Sequence, residues 1–218
     1  MSILTALELL PLFGSLVIVF APKDNSKLIK QIALATSLLV TAAALVMAFQ
    51  FKKNLSGFQF VEVRPWIPLF NVNYAVGVDG MALLLIVMST ILVPVVFVAG
   101  WNESENGRFG VKTFYILMLV LETMMIGVFA ATDVILFYVI FEAMLIPVYF
   151  LIGGYGRGER AAAAMKFLLY SLFGGLLMLA AVIGLYFQSL VQVQGSFDIT
   201  KLSQMQIPVG TQDRKSTR

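Results

Sequence analysis

The 218-residue sequence contains no cysteine and no histidine, and only 12% of its residues are charged. Without cysteine these residues form no disulfide, supply no thiolate and cannot ligate zinc or iron–sulfur clusters through sulfur. Without histidine there is no imidazole to hold haem. These absences remove disulfides, thiolate chemistry and Cys- or His-ligated sites, and we predict no metal site.

Apolar side chains are abundant, at 60% of the sequence with a mean hydropathy of +0.92. Soluble domains average about 45–50% apolar and about 25% charged residues, so this composition indicates a membrane protein. Six segments have the roughly 20 mostly apolar residues that a spanning helix needs: 3–21, 28–50, 80–100, 111–131, 134–154 and 162–190. The predicted fold is therefore all-α, with about six transmembrane helices in contact with the lipid bilayer.

The same segments divide the chain into four parts. Residues 1–50 form two helices, and we expect the first to be retained because no basic region precedes its apolar run. Residues 51–79 are polar and aromatic and are predicted to be an extramembrane loop or hairpin. Residues 80–192 form four helices. The tail, 193–218, ends in GTQDRKSTR without apolar periodicity and is predicted to be disordered.

Basic residues are unequally divided between the two sides of the membrane. Alternating connections place eight on one side and four on the other, namely Lys23, Lys27, Lys30, Arg108, Lys112, Arg157, Arg160 and Lys166 against Lys52, Lys53, Arg64 and Lys201. Cytoplasmic connections carry excess positive charge. We therefore expect the N-terminus and the 51–79 loop on the non-cytoplasmic side, and we interpret the charge as a topology signal rather than as a nucleic-acid site.

Two glutamates are clearly internal to predicted spans and are singled out here, Glu122 in the fourth segment and Glu142 in the fifth. Ionisable residues are costly in a bilayer and are functional candidates by default. At 1.5 Å per residue, both lie roughly 14–16 Å from the turn near Asp133. Because consecutive helices with a short connection are usually antiparallel neighbours, we expect the two carboxylates at similar depth near the midplane, where such a group could take up and release a proton.

Glu142 is the stronger of the two candidates. Tyr138, four residues earlier, and Tyr149, seven later, share its helical face. Pro147 frees the carbonyl of Ala143, which a neighbour or water must satisfy. A kinked, partly hydrated stripe suits a proton path. The alternative is a glutamate that a neighbouring helix satisfies for packing alone.

Lys166 lies about one turn inside the sixth segment. By helix rise Glu142 lies roughly 8–10 Å deeper, so direct pairing between them is not expected. The lysine either extends its amine to the membrane surface or relays protons, and the sequence leaves both roles open.

Four strings resemble one known family. Residues 137–149, FYVIFEAMLIPVY, are similar to the fifth-helix signature of subunit M, or chain 4, of respiratory complex I, the proton-pumping NADH:quinone oxidoreductase. The strings WIP at 66–68 with GVDG at 77–80, LETMMIGVFAATD at 121–133 and AMKFLLYS at 164–171 resemble its loop and its third, fourth and sixth helices. The resemblance covers about residues 1–200.

The resemblance implies an antiporter-like subunit in the membrane arm of complex I, in a bacterial-type inner membrane, with other membrane-arm subunits as partners. It implies a central proton-pathway role for Glu142, with Glu122, Lys166 and Tyr138 as further candidates. No redox chemistry and no cofactor are expected on this chain; NADH, FMN, iron–sulfur clusters and quinone are expected on other subunits.

The family fold has about fourteen helices, with inverted repeats at helices four to eight and nine to thirteen. A lysine on the seventh helix pairs with the fifth-helix glutamate. The six predicted helices match the N-terminal part, so we expect a truncated chain that does not pump alone. Two alternatives remain, namely a subunit of a multi-subunit sodium/proton antiporter and a non-catalytic structural membrane fragment.

Overall fold

A computed structural model describes residues 3–22, 25–52, 54–55, 57–102, 105, 107–192 and 195–205. The described residues include two β-strands, joined by a 3-10 turn at Pro68–Phe70. The elements in chain order are α1 (Ile3–Phe20), α2 (Ser26–Gln50), β1 (Gln59–Ile67), β2 (Val72–Val78), α3 (Gly80–Ala99), α4 (Gly110–Ala130), α5 (Val134–Tyr155), α6 (Arg160–Gln192) and α7 (Ile199–Leu202).

Among the described elements, the six helices α1 to α6 are long and apolar enough to cross a membrane. The predicted all-α, multi-pass fold is confirmed. Helix α4 is central, since it packs against α1, α2, α3 and α5, whereas α6 packs against α5. Two apolar clusters fill the bundle. One contains Leu7, Met47 and Ile126 next to β2, and the other contains Phe97 and Tyr115, whose rings meet edge to face at 5.0 Å.

The segment between α2 and α3 contains an antiparallel hairpin in which, for example, Val63 pairs with Ala75. Strand β2 is largely buried against the bundle, whereas most of β1 is exposed. The backbone N–H of Thr132, at the turn between α4 and α5, donates to the carbonyl of Ala75 at 2.9 Å. The hairpin therefore sits over the end of the bundle where α4 turns into α5.

Asp133 fixes this corner. Its Oδ1 accepts from the backbone N–H groups of Ile135 and Leu136 at 2.9 and 3.2 Å, which caps the N-terminus of α5. Its Oδ2 accepts from the N–H of Asn73 in β2 at 3.1 Å. Burial raises the pKa of this carboxyl, and the three backbone N–H groups oppose that rise. One side chain thus connects the hairpin to α5.

Residues 195–205 depart from the predicted disorder of the tail. The Phe197 ring stacks on Tyr186 of α6 with ring centroids 4.5 Å apart, and its carbonyl accepts from the N–H of Val134 at 2.9 Å. The N–H of Ile199 donates to the carbonyl of Thr132. An aromatic side chain and backbone pairing hold this stretch at the corner, which the absence of periodicity did not predict. Residues 206–218 lie outside the described residues.

Two lysines organise the opposite end of the bundle. Lys30 of α2 is only 2% exposed and donates to the carbonyl of Trp101 and to the carboxylate of Glu105, the latter at 2.7 Å. Lys112 of α4 donates to the carbonyls of Val19 and Ala21 at the C-terminus of α1. A cation is favourable at a helix C-terminus because the free carbonyls there are partially negative. Lys30 therefore connects α2 to the segment after α3, and Lys112 connects α4 to the C-terminus of α1.

The corner can be tested by replacing Asp133 with alanine. Losing a cap costs about 1 kcal/mol, and leaving the Asn73 N–H without a partner costs about 1–3 kcal/mol more. We expect faster hydrogen exchange of the hairpin in Asp133→Ala, measured by mass spectrometry. Asp79→Ala is the matched control, because Asp79 caps α3 through Ala82 alone. Equal exchange of the hairpin in the two variants would contradict this role.

Candidate functional site

Glu122 lies inside the bundle on α4 and is only 1% exposed. It stands between Leu119 of one apolar cluster and Ile126 of the other. Neither carboxylate oxygen has a hydrogen-bond partner among the described residues. A polar group without a partner is expensive in such surroundings. Glu122 is thus a buried acid with no cation beside it in the described structure.

Glu142 faces a different helix. Its carboxylate lies against Gly175 of α6, so closely that a Cβ atom there would overlap it. Its Oε1 is buried without a hydrogen-bond partner among the described residues. The absence of a side chain at Gly175 lets the two helices enclose the carboxylate. The α5–α6 interface is therefore built around Glu142.

The two glutamates lie at the same depth but on different sides of α5. Glu122 is eight residues before Ala130 and Glu142 is eight after Val134, which is about 12 Å from the corner in each case. Ile140 of α5 contacts Gly127 of α4. Glu142 follows Ile140 by two residues, about 200° around the helix. The carboxylate consequently points away from α4 and toward α6.

Both predicted tyrosines lie on the side of α5 that faces α6. The Tyr149 hydroxyl donates to the sulfur of Met165 on α6 at 3.6 Å. Tyr138 is close enough to Glu142 to interact with its charge. The face that the 3.6-residue period assigned to Tyr138, Glu142 and Tyr149 is therefore the face that packs on α6.

Lys166 is not part of this cluster. Its side chain is exposed on α6, nine residues before Gly175, which places it about 13–14 Å along the axis from the Glu142 contact. No ion pair of Lys166 occurs within the described part of the chain. The two residues are not paired within the described structure, and the axial gap between them is larger than predicted.

Glu8 is an internal acid that the sequence analysis did not single out. It lies on α1, is 9% exposed, and accepts a hydrogen bond from the Tyr74 hydroxyl of β2 at 2.8 Å. Its other oxygen lies against Gly127 of α4. The criterion that identified Glu122, an acid within an apolar segment, applied equally to Glu8. Its hydroxyl partner on a distant strand had no sequence signal.

Within the described residues, no three acidic side chains come together in a way that could hold a metal ion.

The contact at Gly175 can be tested with a neighbouring glycine as control. Both Gly175→Ala and Gly174→Ala gain about 1 kcal/mol of helix propensity. Only the first forces a methyl group against Glu142, because nothing lies within 4 Å at Gly174. Overpacking costs about 1–3 kcal/mol. We expect Gly175→Ala to be less stable than Gly174→Ala by that amount when each is unfolded by SDS in mixed micelles.

Tyr74 provides a pH-dependent test of the hairpin contact. Burial, then the charge of Glu8, raises the pKa of Tyr74 to about 12. The neutral phenol therefore stabilises the fold below about pH 10, and this contribution is lost as the pH rises toward 12. The tyrosinate absorbance that disappears in Tyr74→Phe is expected to titrate near pH 12. A midpoint near 10 would contradict the buried hydrogen bond.

Comparisons with known proteins agree with this geometry. The family profile described as "NADH-ubiquinone oxidoreductase chain 4, amino terminus" matches residues 8–128. A second, "NADH:quinone oxidoreductase/Mrp antiporter, TM", matches 131–216. Together they extend the similarity beyond about residue 200, where the resemblance described above ended.

Individual relatives agree as well. NADH-quinone oxidoreductase subunit M of Mycobacterium tuberculosis (strain H37Rv) is 42% identical over 91% of this chain and 41% of its own length. A chain in the structure of respiratory complex I from Thermus thermophilus with bound NADH superposes with a TM-score of 0.74, at 28% identity, over 91% of this chain and 38% of that one. A chain of the Mrp complex from Dietzia sp. DQ12-45-1b has a TM-score of 0.70 at 19% identity, over 88% and 20%, and shares the fold alone.

Fold and comparisons together define an antiporter-like, multi-pass membrane subunit. The chain belongs to the family of NADH-quinone oxidoreductase subunit M, called chain 4 in NADH-ubiquinone oxidoreductases. It spans about two fifths of the length of the curated relatives that it matches.

Proposed function

We propose that the chain is a membrane-arm part of a proton-translocating NADH:quinone oxidoreductase and that Glu142 holds a proton on its pathway. The observation on which the proposal rests is a carboxylate enclosed between α5 and α6, with a buried oxygen that has no hydrogen-bond partner among the described residues. The chain that contains this carboxylate is 42% identical to subunit M of Mycobacterium tuberculosis over 91% of its own residues and 41% of that relative.

The surroundings of Glu142 suit proton exchange. No ion pair holds the Glu142 carboxylate within the described residues, so it is available to exchange partners. Tyr138, on the same face, offers a hydroxyl from which a proton or a water molecule could reach it. Pro147 leaves a backbone carbonyl without its helical partner on the same helix, which favours local hydration.

Two further residues are assigned supporting roles. Glu122 lies at the depth of Glu142 with no described cation beside it, and we propose it as a second proton-holding group. Lys166 is exposed on α6. If a further element covers that face of α6, we assign Lys166 to proton relay. If that face meets lipid, we expect its amine to extend to the membrane surface.

Electron transfer is assigned to other subunits. NADH, FMN, iron–sulfur clusters and quinone would bind there, and this chain would contribute proton transfer as one subunit of the enzyme. We further propose a bacterial-type inner membrane, with the N-terminus and the hairpin on the non-cytoplasmic side. The unequal distribution of basic residues supports that orientation.

A sodium/proton antiporter subunit is the competing function. The second family profile names both groups, and the Mrp chain has the same fold. The higher identity to subunit M and the chain 4 profile over 8–128 favour the oxidoreductase. Co-purification with a flavin- and iron–sulfur-containing peripheral arm is expected from the oxidoreductase and not from the antiporter or from a purely structural fragment.

Glu142→Gln, introduced into the chromosomal gene so that the natural length and partners are retained, tests the pathway role. Loss of a proton-transfer group typically costs about 10²–10⁴-fold in rate. We expect NADH-driven proton uptake by membrane vesicles, followed by quenching of a pH-sensitive dye, to fall at least about tenfold.

Glu159→Gln is the matched control, because Glu159 is exposed in the connection before α6. It should leave both NADH oxidation and proton uptake unchanged. Peripheral-arm content in both strains monitors assembly. An unchanged proton-to-electron ratio in Glu142→Gln would defeat the proposed role of Glu142, even if the chain belongs to the enzyme.

A further inference from the structure

A series of neighbouring polar side chains connects the interior of α1 with the outer strand of the hairpin. Glu8 accepts from the Tyr74 hydroxyl at 2.8 Å, and the Thr5 hydroxyl lies within hydrogen-bonding reach of Tyr74. Thr5 donates to the carboxylate of Glu62 at 2.6 Å, and Glu62 pairs with Arg64. The side chain of Glu62 is 12% exposed and that of Arg64 is 60% exposed. The series therefore runs from a buried acid to the protein surface.

The inner end of the series lies about one turn inside the hairpin end of the bundle. The free oxygen of Glu8 lies against Gly127, where α1, α4 and α5 meet. Glu122 is five residues further along α4, about 7–8 Å by helix rise. The series thus extends from the hairpin toward the buried acid that has no described partner.

Within the described residues, few other charged or titratable groups lie near Glu8. The elements packed against α1 are α2, α4 and β2. From β2 and its partner strand the neighbouring groups are Tyr74, Glu62 and Arg64, and on α4 the acid nearest along the helix is Glu122. The described lysines of α2 and α4, Lys27, Lys30 and Lys112, belong to the opposite end of the bundle.

We propose that Glu8 is a further proton-exchanging site of this chain, which communicates with the water on the hairpin side through Tyr74, Thr5 and Glu62. The proposal concerns α1 and the hairpin and does not depend on the role assigned to Glu142.

The transfer balances without any other reactant. A proton arriving from water protonates Glu62, which then donates to the Thr5 oxygen. Thr5 releases its own hydroxyl proton to Tyr74, and Tyr74 releases its own to the Glu8 carboxylate. Each hydroxyl keeps one proton, and the net result is one proton moved from Glu62 to Glu8. In the structure Thr5 donates to ionised Glu62, so protonation of Glu62 is what turns the Thr5 hydroxyl toward Tyr74.

Docking of the hairpin alone does not require this arrangement. A neutral acceptor at position 8 would anchor Tyr74 equally well, without the cost of an ionisable group inside a membrane helix. A second hydroxyl, Thr5, and a covered carboxylate, Glu62, complete the connection to the surface. A docking contact would need neither of them.

Infrared spectroscopy of the chain in lipid nanodiscs tests the proposal. The carbonyl stretch of a protonated carboxylic acid reports Glu8 directly, and its shift on transfer to D₂O reports proton exchange. We expect a pH-dependent acid band that is absent in Glu8→Gln. In Tyr74→Phe the band should persist but exchange at least about tenfold more slowly, because a proton-transfer group has been removed.

Two controls accompany these variants. Tyr170→Phe removes an exposed hydroxyl of α6 and should leave the exchange rate unchanged. Glu142→Gln removes another membrane carboxylate and should leave the Glu8 band in place. Circular dichroism verifies helix content in every variant.

The result that overturns the proposal is either the absence of any Glu8-dependent acid band at every pH tested or identical exchange in Tyr74→Phe and the unmodified chain. If Glu8→Gln does not fold, Gly127→Ala identifies the band instead, since its methyl group would press on the Glu8 oxygen and shift the frequency. Absence of that shift would overturn the proposal as well.

Discussion

The hydrogen bonds of the Asp133 carboxylate determine where the chemically important side chains lie. From this corner α4 and α5 run back through the bundle side by side, so residues equally distant from it along the chain share a depth. Glu122 and Glu142 are such a pair. Because the same carboxylate holds Asn73 of β2, the hairpin is fixed over the first turns of α1 as well, which brings Tyr74 to Glu8.

The three internal acids differ in their surroundings, and these differences suggest different roles. Glu8 has a hydroxyl partner and a connection through neighbouring polar side chains to the surface. Glu122 is enclosed by apolar side chains, with no partner among the described residues. Glu142 lies at a helix interface that only a glycine permits. An apolar interior makes every one of these groups sensitive to a nearby proton or cation, because little solvent is present to screen a change of charge.

Much of the architecture followed from the sequence, for reasons that particular residues make clear. Apolar segments long enough to cross a bilayer must form helices, since backbone groups there need internal partners, and the 3.6-residue period assigned Tyr138, Glu142 and Tyr149 to one face. Contacts between distant segments could not be predicted. Neither the glycine opposite Glu142 nor the stacking of Phe197 on Tyr186 has a local signal. Glu8 could have been identified from the sequence, because it is an acid within an apolar segment, which is the criterion that identified Glu122.

The positive charges of Lys30 and Lys112 are relevant both to membrane insertion and to helix packing. Insertion precedes helix packing in membrane proteins, and at that first stage basic residues beside a span influence its orientation. Once the helices pack, Lys30 is enclosed beside Trp101 and Lys112 closes the end of α1. The same two positive charges are thus available first during membrane insertion and then as hydrogen-bond donors in the packed bundle.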